Sequence, residues 1–142
     1  METIQFIHSG WAYIVLLVLI IATVNALIKF FGNKEYGALD FRLALFSLIT
    51  MHIQLLIGII LFFTKGYFDE MSVGEVMKND SIRKLAVEHP TLMIIAVALV
   101  TIGYSKHKKK LVSKPKFKLL SIFYSIALIA VLYMIPWNQW LS

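Results

Sequence analysis

Between Arg42 and Lys65 the chain runs for 22 residues without an Asp, Glu, Lys or Arg. At a helical rise of about 1.5 Å per residue such a run crosses a hydrocarbon layer ~30 Å thick. No water is available there to satisfy backbone groups, so the segment must be helical. Near its middle stands His52. An ionisable ring at that depth is costly unless a partner satisfies it, which makes it a functional-site candidate.

The rest of the chain has the same character. It is 59% hydrophobic and 15% charged, with a mean hydropathy of +0.78. The apolar residues lie in long blocks, the pattern of membrane spans rather than of a soluble core. With 142 residues the chain is read as a single membrane domain. Cysteine is absent, which excludes disulfides, thiolate zinc sites and iron–sulfur clusters.

Four spans are expected, at about 6–30, 42–64, 86–105 and 119–135. The first is read as a retained helix, because METIQ lacks the basic residues of a secretory leader. Trp11 and Tyr13 are assigned to an interfacial belt at its start. A short Gly- and Asn-containing turn follows, and Asp40 is the expected N-cap of the second helix. The polar stretch 66–85 reads as an outer loop, in which Asp80 or Ser81 caps a helix leading into the third span. Pro90 is expected to kink that helix. The basic inner loop, 106–118, contains seven lysines. Trp137 and Trp140 complete the last span as anchors.

The loops after the first and third spans hold ten of the fourteen Lys and Arg residues. The positive-inside rule then places both termini and the 66–88 loop outside. That rule also accounts for the net charge of +6 without nucleic acid as a partner. The expected fold is all-α: an integral membrane four-helix bundle, up-down-up-down, with the lipid bilayer as its solvent.

His8 opens the first span and His89 the third, both toward the outer face. His8 shares a helical stripe with Ala12, Val15, Ala22 and Ala26. His89 shares one with Met93, Ala96, Val100 and Gly103. Both stripes fit a bundle interior. His52 is ambiguous. Its own stripe, Leu45, Leu48, Ile49, Leu56 and Ile59, is bulky, whereas Ser47, Met51, Gln54 and Gly58 fall nearly opposite. Each histidine also has a bland explanation. His8 can face interfacial water, His89 can pair with Glu88, and His52 can bond to a neighbouring carbonyl or hydroxyl. His107, among lysines, is expected to be solvated.

Haem iron is a use for two neutral imidazoles that nothing else in the sequence contradicts. Carboxylate di-metal sites are disfavoured, since no Asp or Glu lies inside a span. HExxH, a Gly-rich phosphate loop and a Ser nucleophile with a matched base are all missing.

The segments HSGWAYIVLLVL, LDFRLALFSLITMHIQLLIGIILFF and AVEHPTLMIIAVALVTIGYSK, followed by a lysine-rich loop and a last span ending IPW, resemble one family. It comprises small four-helix bacterial inner-membrane proteins described as cytochrome b-like. The resemblance covers the chain apart from 66–80. It implies His8, His52 and His89 as marked positions and the bacterial inner membrane as the location, where the positive-inside rule sets the termini on the periplasmic side.

The function expected is therefore a haem b-binding membrane protein. It would carry electrons within the bilayer, to or from a quinone, rather than act as a stand-alone enzyme. His89 is the first candidate ligand, His8 its partner by helical phase, and His52 the alternative. The remaining histidine would bond to a propionate or quinone. Asn25, Arg42 and Gln54 are secondary polar candidates. A second expectation is a cofactor-free accessory subunit that packs into a larger membrane complex or homo-oligomer through the second face of the 42–64 helix. A transporter or proton pathway ranks last, for want of a buried carboxylate.

Overall fold

The computed structural model describes residues 2–137, so Trp140 lies outside the described residues. The chain is a four-helix bundle with an additional helical segment between its second and third long helices. The long helices are α1 (Glu2–Phe31), α2 (Ala38–Lys65), α6 (His89–Lys108) and α7 (Ser113–Met134), and α3 (Tyr67–Glu70), α4 (Val73–Lys78) and α5 (Asp80–Arg83) are short. A π-helical turn, Lys84–Glu88, joins α5 to α6. Among the described residues four segments are long and apolar enough to cross a membrane: Thr3–Phe31, Ala38–Glu70, Asp80–Lys108 and Ser113–Met134.

Each long helix is adjacent to its sequence neighbour, and α1 also packs on α7 and α6 on α2. The bundle is thus a closed square with α1 and α6 on one diagonal. Alternating spacings of three and four place the buried residues: Val15, Leu19, Ala22 and Ala26 on α1, and Leu120, Tyr124, Ala127 and Val131 on α7. Such spacing aligns the buried residues along one seam of each helix. Alanines along it let the backbones approach closely. Gly103 marks a close approach of α6 and α7, where a Cβ would stand 2.5 Å from Cβ of Phe123. The outer surface is the inverse of a soluble protein's, with Leu17, Ile28, Leu56, Phe63 and Ile129 each at least 60% exposed. Such side chains are stable facing lipid.

Several local expectations are corrected. Asp40 is not the N-cap; Gly37 is, and Asp40 sits in the first turn of α2. Its carboxylate still accepts from the Gly37 N–H, at 2.8 Å. It also accepts from Asn25 at 2.8 Å and forms an ion pair with Lys29 at 2.7 Å. A Gly N-cap leaves the turn free of side-chain clashes while the carboxylate caps from inside. Asn79, rather than Asp80 or Ser81, caps α5, with its side chain accepting from Ile82 N–H at 3.1 Å. The indole N–H of Trp11 donates to the Thr50 carbonyl on α2 at 3.0 Å.

The 66–85 stretch is largely helical, and Val76 within it is fully buried. The basic loop is also shorter than expected. Helix α7 starts at Ser113, so Lys114, Lys116 and Lys118 belong to it. Pro115 explains the early start: in a first turn its missing N–H leaves no bond unmade. Pro90 acts through the π-helical turn. A proline ring clashes with the carbonyl four residues back. Here the ladder widens instead, and His89 N–H bonds to the carbonyl of Lys84, five residues back.

Candidate functional site

The π-helical turn delivers His89 to the bundle interior at the end away from the lysines. Its Nδ1 lies 2.9 Å from the Met134 carbonyl at the close of α7. A carbonyl only accepts, so Nδ1 carries the proton and Nε2 carries the lone pair. Metal-bound imidazoles are commonly fixed in this way.

His8 approaches from the opposite corner of the square. The two rings stand 6.3 Å apart, centroid to centroid, at an interplanar angle of 82°. His8 lies over Gly58 of α2, where a Cβ would come within 3.2 Å of its Cε1 and 3.7 Å of its Nδ1. Gln54, one turn away on α2, donates to the His8 carbonyl at 2.8 Å. That bond and the Trp11–Thr50 bond hold α1 and α2 in register. Two polar atoms here are buried without a hydrogen-bond partner among the described residues: His8 Nδ1 and Gln54 Oε1. Both atoms therefore retain hydrogen-bonding capacity, as do the buried hydroxyls of Thr23, Ser121 and Ser125 elsewhere in the bundle.

The ring spacing suits one metal ion shared by two imidazoles. With a metal–nitrogen bond of about 2.0 Å on each side, opposed rings have centroids roughly 6 Å apart. Among the described residues no three His, Cys, Asp or Glu side chains converge. His8 and His89 are the two imidazoles that would hold a metal-bearing group here, its remaining ligands belonging to that group. A groove of about 320 Å³ opens outward beside Met134, lined by Val87, Glu88, Thr91, Leu92, Tyr133 and Met134.

His52 stands elsewhere. It is exposed on the outward face of α2, with Nδ1 2.7 Å from the Leu48 carbonyl of its own helix. Its Nε2 is 3.5 Å from the Thr101 hydroxyl on α6. The inward face of α2 carries Ser47 and Met51, both buried, with Gln54 and Gly58. The ambiguity of helical phase thus resolves with the small and polar face inward. Asn25 belongs to the Asp40 cluster at the basic end, far along α1 from His8.

That basic end holds a second polar cluster, which overturns the expectation of a solvated His107. His107 is completely buried. Its Nδ1 bonds to the Tyr104 carbonyl, and its Nε2 lies 2.8 Å from the Tyr36 hydroxyl. Since Nδ1 must donate to that carbonyl, the Tyr36 O–H donates to Nε2. Tyr36 lies in the α1–α2 connection, where burial, together with Asp40 and Tyr104 nearby, pushes its phenol up to about 12. Nearby, the buried Tyr124 donates to the Ala44 carbonyl at 2.7 Å, across the other diagonal. The signal for His107 was present in the sequence: it continues the His89 stripe through Val100 and Gly103. Comparison with protein-family models, curated proteins and solved structures returns no match.

Proposed function

We propose that this membrane protein binds haem b through His8 and His89 and carries electrons within the bilayer, exchanging them with a quinone or a larger membrane complex. One observation carries the reading: two imidazoles from diagonal helices meet at a centroid distance of 6.3 Å. Haem iron held by two imidazoles supplies one-electron chemistry without an open position for substrate. The residues of the chain hold and tune it. The Met134 carbonyl keeps His89 in the tautomer whose Nε2 is free to ligate. Gly58 leaves the space that the His8 ring occupies. Gln54 Oε1 accepts from a protonated group of the incoming ligand. The groove beside Met134 is a lipid-side approach for a quinone. His52, the alternative ligand, is not required by this pairing. The reading includes membership of the cytochrome b-like family of the bacterial inner membrane. The lysine imbalance supports termini on the periplasmic side.

The test is the visible spectrum of detergent-purified protein, oxidised and then reduced with dithionite. Sharp reduced α and β bands are expected, lost in His8→Ala and His89→Ala and kept in His52→Ala. A preparation that stays colourless after haem is added overturns the proposal. Retention of the bands in both of the first two variants overturns the ligand assignment.

His52 favours a second reading, a subunit of a larger assembly. An imidazole exposed at mid-span is expensive against lipid and suits a neighbouring transmembrane helix. Under that reading, mild detergent extraction yields a larger particle that His52→Leu dissociates.

A further inference from the structure

The basic end of the bundle contains a cleft of about 510 Å³ between the α1–α2 and α6–α7 connections. Lys29, Lys34, Lys114 and Lys116 line it, with Glu35 as its one acid. Asp40 neutralises Lys29, and Glu35 offsets a second charge. Two positive charges are therefore unbalanced within one concave space. They are also held in place. The Lys114 ammonium bonds to the Phe30 carbonyl at 2.9 Å and to Asn33 Oδ1 at 2.7 Å. Lys116 reaches over the Tyr36 ring at 4.7 Å, and that ring is fixed in turn by His107. A lysine has three donors, so both retain capacity for an anion. The rim is apolar: Leu111 is 96% exposed and Val112 is 62% exposed, and both line the cleft. A soluble anion gains nothing from such a rim, whereas a phosphate with an attached hydrocarbon chain does.

We infer that this cleft binds the phosphate of an anionic membrane lipid headgroup, with Lys34, Lys114 and Lys116 as its cationic contacts. The inference is independent of haem. Its position matches the general location of such sites, at basic recesses between transmembrane helices. Occupancy would clamp the two connections together and so stiffen the end of the bundle that holds the Tyr36–His107 bond.

The experiment uses the full chain in neutral detergent and native mass spectrometry. Phosphatidylglycerol, phosphatidylcholine and inorganic phosphate are the probes. One bound phosphatidylglycerol per chain is expected, well above phosphatidylcholine. In the double variant Lys34→Gln/Lys116→Gln its affinity should fall about thirtyfold, from roughly five- to sixfold per lysine near an anionic lipid. The control Lys109→Gln/Lys110→Gln removes the same charge outside the cleft and should leave binding within about twofold. An equal loss in both double variants means diffuse surface attraction and overturns the site. Equal binding of phosphatidylcholine overturns it as well. Inorganic phosphate that displaces the lipid at comparable concentration makes this a free-phosphate site and overturns the lipid assignment. If the first variant fails to fold, Lys34→Gln alone carries the test, with about a fivefold loss expected.

Discussion

Replacing Gly58 by Ala separates the stability of the helix from the integrity of the histidine pair. The new Cβ would stand 3.2 Å from His8 Cε1 and 3.7 Å from Nδ1. Carbon atoms rest comfortably at about 3.5 Å, so the ring must move by ~0.3 Å. Metal ligation tolerates displacements of about 0.2 Å. The expected cost to haem affinity is therefore in the range of about 10- to 100-fold, comparable to losing an orienting contact. The helix itself responds in the opposite direction. Ala is favoured over Gly in a helix interior by about 0.8–1.0 kcal/mol. Haem-free Gly58→Ala should unfold at the same temperature as the parent or slightly above it. Both quantities are measurable on one preparation, by haem titration followed at the Soret band and by thermal unfolding of the haem-free protein followed by circular dichroism. Gly58→Leu should abolish haem binding while the bundle still forms. Unchanged haem affinity in a folded Gly58→Leu protein would falsify the placement of His8 at the site. A parallel loss of stability and affinity in Gly58→Ala would show that the contact is structural only.

Other outcomes follow from the basic end. Asp40→Ala removes an internal cap worth about 1 kcal/mol and strands Asn25 and Lys29 for a further ~1–3 kcal/mol. Destabilisation of about 2–4 kcal/mol is expected, with Asp40→Asn milder because it keeps an acceptor for Gly37; a loss below about 0.5 kcal/mol would count against the cluster. Tyr36 is raised from 10.0 to about 12 by burial first, then by Asp40 and Tyr104. The folded state therefore holds this proton more tightly than the unfolded chain does. The resulting stability is complete below pH 10 and disappears as the pH rises through about 12. In Tyr36→Phe that alkaline decline should be smaller, as should the phenolate absorbance appearing near pH 12. An identical decline in parent and variant would refute the assignment.

The histidine pair shows how far helical phase can be read. Ala22, Ala26, Ala96 and Val100 announced inward stripes, and those stripes carry His8 and His89 to the interior. Phase alone cannot say that residues on two helices meet. That depended on α1 and α6 sharing a diagonal and on the extra residue of the π-helical turn, which rotates His89 relative to α5. His52 illustrates the reverse. Its helix has two plausible inward faces, and the choice fell to packing: small residues at Ser47 and Gly58 admit neighbouring side chains, whereas Leu56 and Ile59 do not. His107 was obscured by its neighbours. A run of lysines signals solvent, yet one position in that run continues a buried stripe and is covered by Tyr36, a residue 71 positions away.

The sequence by itself determined the number of spans, their helical nature and their antiparallel order, because hydrocarbon leaves a polar backbone one economical conformation and short turns leave consecutive helices one arrangement. It also determined which chemical groups were available, by the absence of cysteine. Tertiary structure decided which groups face one another. The buried hydrogen bonds of Asp40, Tyr36 and His107, and the approach of His8 to His89, join residues distant along the chain. Their geometry is set by how four helices close into a square, a property of all the contacts together and of no single segment.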